Sequence, residues 1–148
     1  PFWQWFVFKW KDYYDVCGID CYPNYLLGEP VLGKTVGQRI KQAKRISGKN
    51  VMVVETGYPS HSKLLLHTEE NQAKYLVMSA TSAKKNGAIG YIYFNCTSSE
   101  TFPTFDKGII GSALGMLQSV EGFWGLINSD GKKKKAFYKY AELIRSHK

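Results

Sequence analysis

The chain has 148 residues, of which 44% are hydrophobic and 22% are charged, and it carries a formal net charge of +8 at pH 7. This length supplies one globular domain at most, and the even spread of aliphatic and aromatic residues excludes a largely disordered chain. No apolar run reaches the roughly 18 residues of a membrane-spanning helix, so we expect no membrane partner. The positive charge would suit nucleic acid, an anionic surface or a cell-wall polymer, and charge alone favours none of them.

The three cysteines and three histidines form no pattern of metal ligands or of disulfides. There is no Cys-x-x-Cys pair, and the odd number leaves at least one thiol unpaired. Cys17 and Cys21 share one face of a predicted strand about 13 Å apart by strand rise, which is too far for a disulfide. We therefore expect no metal ion, and we expect both thiols to face a layer of helices.

The first ten residues, PFWQWFVFKW, contain six aromatic side chains. An exposed arm of this composition would be insoluble, so this aromatic lead-in, residues 1–13, is predicted to pack on another surface. Residues 14–21 then form a predicted strand. A loop follows, because Pro23 and the pair Gly28 and Pro30 stop regular structure.

Helices and strands alternate along the rest of the chain. Val36, Ile40 and Ala43 recur at helical spacing, and Gly48 is a C-terminal stop signal. Thr68 is a good N-cap for a second helix. The predicted elements are a helix over 36–46, a strand over 51–54, a helix over 69–83, a strand over 88–95 and a helix over 134–146.

This order of elements, βαβαβ-loop-α over residues 14–146, is typical of parallel βαβ units with right-handed crossovers. The predicted fold class is therefore α/β. The turns after the strands carry no phosphate-binding glycine pattern, which argues against a Rossmann or P-loop domain. In barrels of parallel strands the catalytic residues lie at the carboxyl ends of the strands. Two strands here end in polar residues, at Asp20-Cys21-Tyr22-Pro23 and at Glu55-Thr56-Gly57, and we place the candidate site there.

Glu55 closes an apolar strand, where a carboxylate is costly unless it is hydrogen-bonded or used in chemistry. If it faces the interior of a barrel, strict alternation puts Val51 and Val53 inside with it and Met52 and Val54 under the helices. A carboxylate that caps the following turn through backbone N–H groups fits the position equally well. Position alone does not choose between the two interpretations.

Two strings in the chain resemble one enzyme family. VMVVETGYPS, residues 51–60, and EGFWGLINSDGKKKKAFY, residues 121–138, are similar to glycoside hydrolase family 17, the plant and fungal β-1,3-glucanases, within the clan of retaining (β/α)8 glycosidases. The resemblance implies that residues 1–148 form the C-terminal portion of such an enzyme, strands 6 to 8 of a partial (β/α)8 TIM barrel with their helices. A complete barrel takes about 250 residues.

The resemblance also implies roles for particular residues. Glu55 matches the nucleophile in the family's Ser-Glu-Thr-Gly-Trp-Pro-Ser string at the end of strand 7. The family's Asn-x-Tyr-Pro string at the end of strand 6 is matched from Asp20 to Pro23, which implies that Tyr22 lies beside the nucleophile and hydrogen-bonds to it. The string Glu-x-x-Trp-Gly-Leu is matched from Glu121, which the resemblance assigns to the acidic lining of the cleft. A loop carboxylate that holds a turn fits Glu121 equally well.

Aromatic residues near strand ends could stack on sugar rings. Tyr58 is the best of these candidates, although a chain with 15% aromatic residues places some of them near any site by chance. We assign no role to His61 or His67, because loop histidines usually lie on the surface. The expected site has Glu55 as the nucleophile and Tyr22, Asp20, Tyr58, Glu121 and Trp124 as substrate-binding residues.

The chain departs from the family at two points. The family's acid/base Glu, in an Asn-Glu string at the end of strand 4, has no counterpart here. A retaining glycosidase needs two carboxylates about 5 to 5.5 Å apart, so a segment missing from this chain would have to supply the second. Where the family ends strand 8 with Phe-Asp-Glu, the chain reads Asn95-Cys96-Thr97-Ser98, and Glu100 is the carboxylate that could replace the lost one.

The function implied by the resemblance is double-displacement hydrolysis of a β-glucan, with β-1,3 linkages expected. The partner is a polysaccharide or oligosaccharide, no cofactor is needed, and the family is secreted to the cell wall or the extracellular space. The alternative is a catalytically inactive carbohydrate-binding or structural protein. A nucleic-acid-binding module would rest on net charge alone, and we expect no nucleic acid partner.

Two further expectations concern surfaces. Part of a barrel leaves two open sheet edges, so we expect a complementary barrel segment or chain, with the aromatic lead-in as its docking surface. The run of four lysines over residues 132–135 is interpreted as the solvated start of a helix, with a contact to a polyanion as the weaker alternative.

Overall fold

A computed structural model describes residues 2–23, 29–61, 67–99 and 122–146. Within these ranges the chain is an α/β structure with a parallel sheet of three strands in the order β1-β2-β3, as predicted. The strands are β1 (Val16–Asp20), β2 (Asn50–Thr56) and β3 (Ala88–Tyr93), the α-helices are α1 (Phe2–Trp10), α2 (Val36–Ser47), α3 (Glu69–Lys85) and α4 (Lys135–Arg145), and short 3-10 helices cover Lys11–Tyr13 and Pro30–Thr35.

The predicted helix signals occupy their expected places. The α2 helix ends at Gly48, which has φ +69° and donates its N–H to the Lys44 carbonyl at 2.9 Å. The α3 helix begins after Thr68, whose hydroxyl oxygen accepts the Asn71 N–H at 3.1 Å. These contacts satisfy backbone groups that a helix end leaves without partners, so both boundaries follow from local chemistry.

Helices α2 and α3 cover one face of the sheet and form the main core with it. Cys17 and Cys21 are buried on this face as free thiols, which confirms the predicted sidedness of the first strand. Val51 and Val53 are also fully buried there. The expectation that these two valines share a face with Glu55 is therefore wrong, and the reason lies in the register of β2 described below.

A second core cluster joins α3, β3 and α4 below the loops at the carboxyl end of the sheet. Tyr58 and Tyr75 lie at its centre with no exposed surface, together with Leu76. Ala136 fixes the start of α4 against this cluster. The cluster thus connects the loop after β2 to the helix that follows the third strand.

The opposite face of the sheet, called here the open face, is covered by none of the described segments. Its side chains include Val16, Val54 and Ile92, which are 42%, 39% and 48% exposed. No described residue pairs with the outer edge of β1 or of β3. Cavities of about 550 Å³ and about 790 Å³ lie along these two edges.

The aromatic lead-in forms α1, which packs on the core through Trp3 and Val7 only. Its other large side chains remain exposed in this chain, and the docking of the lead-in on a complementary segment stays a prediction. Lys9 lies 4.6 Å from the Trp5 ring centre. The exposed side chains of α1 are Phe2, Trp5, Phe6, Phe8 and Trp10.

None of the helices in the described ranges has the length and apolar character that crossing a membrane requires.

Candidate active site

A β-bulge in β2 orients Glu55. Ile19 pairs with Val53, but Asp20 pairs with Glu55, so Val54 is an extra residue between two successive pairs. The bulge breaks the alternation of the strand, and Val54 and Glu55 both lie toward the open face. Glu55 therefore reaches this face even though Val51 and Val53 point to the helices. The expected sidedness of β2 was wrong because it assumed strict alternation through residue 55.

The Tyr22 hydroxyl donates a hydrogen bond to Glu55 Oε1 at 2.5 Å. Tyr22 follows the end of β1, and Glu55 is next to last in the neighbouring strand β2. Burial, then the hydrogen bond to Glu55 and its charge, raise the pKa of the Tyr22 phenol well above its ordinary value. The phenol is thus a stable donor that fixes one carboxylate oxygen and leaves the other for chemistry.

Asp20 lies opposite Glu55 in the register of the sheet. It is exposed on the open face, and burial followed by the charge of Glu55 raises the pKa of its carboxyl. Two carboxyl groups therefore occupy adjacent strand ends, and Asp20 takes up a proton more readily than an isolated aspartate.

The two residues after Glu55 anchor it to the core. Thr56 is buried, donates its hydroxyl hydrogen to the Cys21 carbonyl at 2.7 Å, and shares a hydrogen bond with the Tyr75 hydroxyl at 2.6 Å. A Cβ at Gly57 would stand 2.4 Å from the Phe94 carbonyl oxygen and 2.8 Å from the Trp124 ring. The Glu-Thr-Gly string therefore combines a residue directed to the open face, one tied to the helix layer and one that allows close approach of a neighbouring strand end.

Trp124 packs against the other side of Tyr22. The two rings are edge to face with their centres 5.2 Å apart, and the Trp124 carbonyl accepts a hydrogen bond from the Gln72 amide at 3.1 Å. The side chain is only 2% exposed. Trp124 thus supports Tyr22 from within the structure and shows little surface for stacking on a sugar.

Tyr58 differs from the expected lining of the cleft. Its ring is fully buried and packs on His67 and Tyr75, with ring centres 4.9 Å and 5.4 Å away. Its backbone N–H donates a hydrogen bond to the Tyr93 hydroxyl oxygen at 3.1 Å. Because no face of the ring is open, Tyr58 can reach a sugar only by leaving the core, and its position is that of a packing residue.

Two residues that were predicted to lie at the surface, Lys134 and His67, are buried. Lys134, inside the four-lysine run, is 2% exposed, whereas its neighbours Lys132, Lys133 and Lys135 are exposed as predicted. His67 is 3% exposed, although loop histidines usually lie at the surface. Nothing in a run of identical lysines marks one of them for burial, so the burial of Lys134 could be found only from the structure.

The structure brings together four of the six predicted site residues, Asp20, Tyr22, Glu55 and Trp124. Tyr58 lies nearby but in the core, and Glu121 lies outside the described residues, as does Glu100.

Cys96 is exposed in the segment after β3. Among the residues that the structure describes, no group of three or more His, Cys, Asp or Glu side chains could hold a metal ion.

The chemistry available here is that of one oriented carboxylate in a partly open environment. A carboxylate held by a phenol at the carboxyl end of parallel strands can attack an electrophilic carbon, and it can also accept a proton. Catalytic groups of parallel barrels occupy this edge. The structure thus brings the ends of the first two strands together at Tyr22 and Glu55, and the catalytic role of these residues stays a prediction.

Comparison with solved structures identifies the fold. The chain is similar to the glycoside hydrolase family 17 β-1,3-glucanosyltransferase from Rhizomucor miehei, with 22% identity, a TM-score of 0.61, and coverage of 85% of this chain and 43% of that chain. An active-site mutant of that enzyme in complex with laminaritriose matches at 20% identity over the same shares, with a TM-score of 0.62. A β-glucuronidase from an uncultured Clostridium matches at 17% identity over 90% of this chain and 23% of that chain, with a TM-score of 0.66.

These likenesses show a glycosidase-like (β/α)8-barrel fold. The chain spans less than half the length of each of these structures. No protein-family model and no curated protein matches it. The neighbours act on different sugars by name, so the fold is shared across several specificities.

Proposed function

We propose that the chain is part of a retaining glycoside hydrolase that cleaves a β-glucan, with Glu55 as the nucleophile. The observation that carries this proposal is the hydrogen bond from Tyr22 to Glu55 at the carboxyl end of a parallel sheet with a glycosidase-like fold. This hydrogen bond is partly buried. It holds the Glu55 carboxylate at the open face, where a polymer could approach.

The proposed reaction proceeds by two displacements. Glu55 attacks the anomeric carbon, the bond from that carbon to the glycosidic oxygen breaks, and the departing oxygen takes a proton from a carboxylic acid. That group then removes a proton from water, which attacks the anomeric carbon and releases Glu55 from the ester. Tyr22 holds one oxygen of the Glu55 carboxylate and so orients the other, which attacks. A complementary barrel segment supplies the acid.

We further propose that the substrate is a β-1,3-glucan and that the chain corresponds to strands 6 to 8 of a family 17 barrel. Support comes from the Glu55 to Ser60 string and from the likeness to a family 17 enzyme named as a β-1,3-glucanosyltransferase, seen with laminaritriose. A secreted or cell-wall location belongs to the same proposal. Asp20 and Trp124 would then line or support the subsite next to Glu55.

A complementary barrel segment is part of this proposal because the acid/base Glu of the family has no counterpart in this chain, and Asp20, the second carboxyl group beside Glu55, is assigned to substrate binding. The unpaired edges of β1 and β3 and the exposed side chains of the open face are surfaces that further strands would cover. The exposed face of α1 borders the cavity at the β1 edge and would contact the same segment.

The test is Glu55→Gln in the protein expressed from its complete reading frame, with laminarin as substrate. We expect hydrolysis to be abolished, because the amide keeps the shape of the carboxylate but cannot form the glycosyl ester. Glu142→Gln, which alters an exposed carboxylate paired with Lys139, is the matched control and should retain full activity.

A second readout identifies the role of the carboxylate. A 2-deoxy-2-fluoro-β-glucoside with a dinitrophenolate leaving group should label Glu55 covalently, because departure of this group needs no acid and the fluorine slows release. Peptide mass mapping locates the label. Laminarin binding without hydrolysis or labelling would overturn the enzyme proposal and favour an inactive carbohydrate-binding protein.

A further inference from the structure

Lys134 is a buried cation that the proposed reaction does not use. It is the N-cap residue of α4, and its ammonium donates hydrogen bonds to the Ser98 hydroxyl at 2.7 Å, to the Ser60 hydroxyl at 2.8 Å and to the Phe123 carbonyl at 3.4 Å. Its own backbone N–H bonds to the Leu126 carbonyl at 2.9 Å. The whole residue is thus fixed in place.

These three partners of the ammonium, all in the part of the chain that the structure describes, come from separate segments at the carboxyl end of the sheet. Ser60 lies in the loop after β2, Ser98 follows β3, and Phe123 precedes the Trp-Gly-Leu string. Ser60 also donates its N–H and its hydroxyl to the Phe123 carbonyl, at 2.9 Å and 3.0 Å. The ammonium therefore closes a hydrogen-bonded cluster, called here the lysine clamp, formed by Lys134, Ser60, Ser98 and Phe123.

The lysine clamp is connected to Glu55 through a short series of contacts. Phe123 is bonded to Trp124, the Trp124 ring packs edge to face on Tyr22, and Tyr22 donates its hydroxyl hydrogen to Glu55. A shift of the Phe123 carbonyl moves Trp124 because the two share a peptide unit. The position of the clamp thus determines the support behind Tyr22.

We propose that Lys134 is a positioning residue of the carbohydrate site, which holds Trp124 against Tyr22 by joining three segments at the carboxyl end of the sheet. This inference rests on the proposed function for its catalytic consequence. It assigns to one lysine of the basic run a part in orienting the reacting carboxylate, although the lysine itself touches no substrate.

The ammonium group suits this cluster for a chemical reason. It presents three donors on one small centre at the end of a flexible stem, whereas a guanidinium is planar and larger. Methionine has a similar length but donates nothing, so Lys134→Met removes the three hydrogen bonds with little change in volume. Lys132→Met is the matched control, because Lys132 belongs to the same run but is exposed.

The experiment compares these variants in the protein expressed from its complete reading frame. Hydrogen exchange is followed by mass spectrometry over peptides that contain residues 57–61, 95–99 and 122–127. We expect Lys134→Met to accelerate exchange in these peptides and to leave β1 and α2 unchanged, because the lost contacts are local. Lys132→Met should match the parent protein throughout.

Laminarin kinetics provide the functional readout. The burst of dinitrophenolate from the fluoroglucoside counts the active sites, so that unfolded molecules do not affect the result. We expect kcat per active site to fall by up to about 100-fold in Lys134→Met, the range associated with small misplacements of catalytic groups, while KM changes less. Lys132→Met should keep the parent value.

Two results would overturn the inference: unchanged exchange in the three loop peptides, or faster exchange with unchanged kcat per active site. If Lys134→Met does not fold, Ser98→Ala and Ser60→Ala each remove one acceptor of the clamp and should reproduce smaller effects in the same direction. If the parent protein neither cleaves laminarin nor takes up the label, the proposed function fails. The structural part of the inference is still tested in that case, because faster hydrogen exchange of the three loop peptides in Lys134→Met would show that Lys134 holds these loops.

Discussion

At the level of single residues, the site depends on the contact between Tyr22 and Glu55. A hydrogen bond to an ionised carboxylate is stronger than one between neutral groups, and the phenol at 2.5 Å restricts the rotation of the carboxylate. Trp124 limits the movement of the tyrosine ring in turn. The orientation of the proposed nucleophile is thus set by a neighbouring strand and by a loop more than 60 residues away in sequence.

Tyr22→Phe tests this contact and should lower kcat on laminarin while the protein remains folded. A hydrogen bond to a charged group contributes about 1.5–3 kcal/mol, which corresponds to a loss of roughly 10- to 100-fold in rate. Tyr138→Phe, which alters an exposed tyrosine on α4, serves as the control. An unchanged kcat in Tyr22→Phe would show that the phenol does not orient the reacting group.

His67 gives the fold a pH dependence. Burial lowers the pKa of this imidazole, and neither ring nitrogen has a hydrogen-bond partner among the described residues. The unfolded chain therefore binds a proton more readily, so the contribution of His67 to stability is complete above its unfolded pKa of about 6.5 and is lost as the pH falls through the lower folded value.

His67→Phe should flatten the dependence of the free energy of unfolding on pH below about 6.5, as measured by urea denaturation at a series of pH values. The ring contact with Tyr58 is kept in this variant. His61→Asn, at an exposed histidine, should leave the slope of the parent protein intact. A slope that persists in His67→Phe would assign the pH dependence to other groups.

At the level of elements, the contact between α2 and α3 depends on a glycine. The Gly37 N–H donates to the Ser82 hydroxyl at 3.1 Å, and a Cβ at Gly37 would lie 2.5 Å from that oxygen and 2.1 Å from the Asn86 amide nitrogen. The two helices can approach this closely only because the residue has no side chain. This packing holds the helix layer against β1 and β2.

Gly37→Ala should therefore lower the free energy of unfolding by about 1–3 kcal/mol, the usual cost of overpacking. The measurement is chemical denaturation monitored by circular dichroism. Gln38→Ala, at the next and exposed position of α2, should be close to neutral. A neutral Gly37→Ala would mean that α3 moves away without loss of packing.

The elements also show which parts of the structure are encoded locally. The ends of α2 and α3 were predictable because Gly48 and Thr68 act on backbone groups within four residues. The bulge at Val54 was not, because it depends on pairing with a strand 30 or more residues earlier. Strand ends identified Glu55 and Tyr22, whereas the burial of Tyr58 and Lys134 arises from contacts among distant loops.

At the level of the whole molecule, the described chain buries one face of its sheet and leaves the other exposed. Val54 and Ile92 on the open face, and most of the large aromatic residues of α1, remain exposed. Exposed edges and apolar patches promote pairing with other chains. The 148-residue chain, taken alone, should therefore associate.

Sedimentation velocity of the isolated 148-residue chain at micromolar concentration should show oligomers that grow with concentration. Ile92→Lys should reduce this association, since a charge on the open face opposes its burial, whereas Val31→Lys, at an exposed site in the 3-10 helix, should not. A stable monomer of the parent chain would contradict the expectation of a complementary segment.

The extra residue Val54 changes the local backbone of β2 without changing the partner of Glu55 in β1. Removal of Val54 would let Glu55 follow Val53 directly, so that the carboxylate would still point to the open face and Thr56 to the helices. Glu55 would remain opposite Asp20, because Val54 has no partner of its own in the register of β1 and β2, but the bend and extra twist that a bulge gives a strand would be lost. A single codon in β2 thus decides whether the strand is bent beneath the acidic group, and length variation at this point could tilt the carboxylate relative to the Tyr22 hydroxyl without altering the fold.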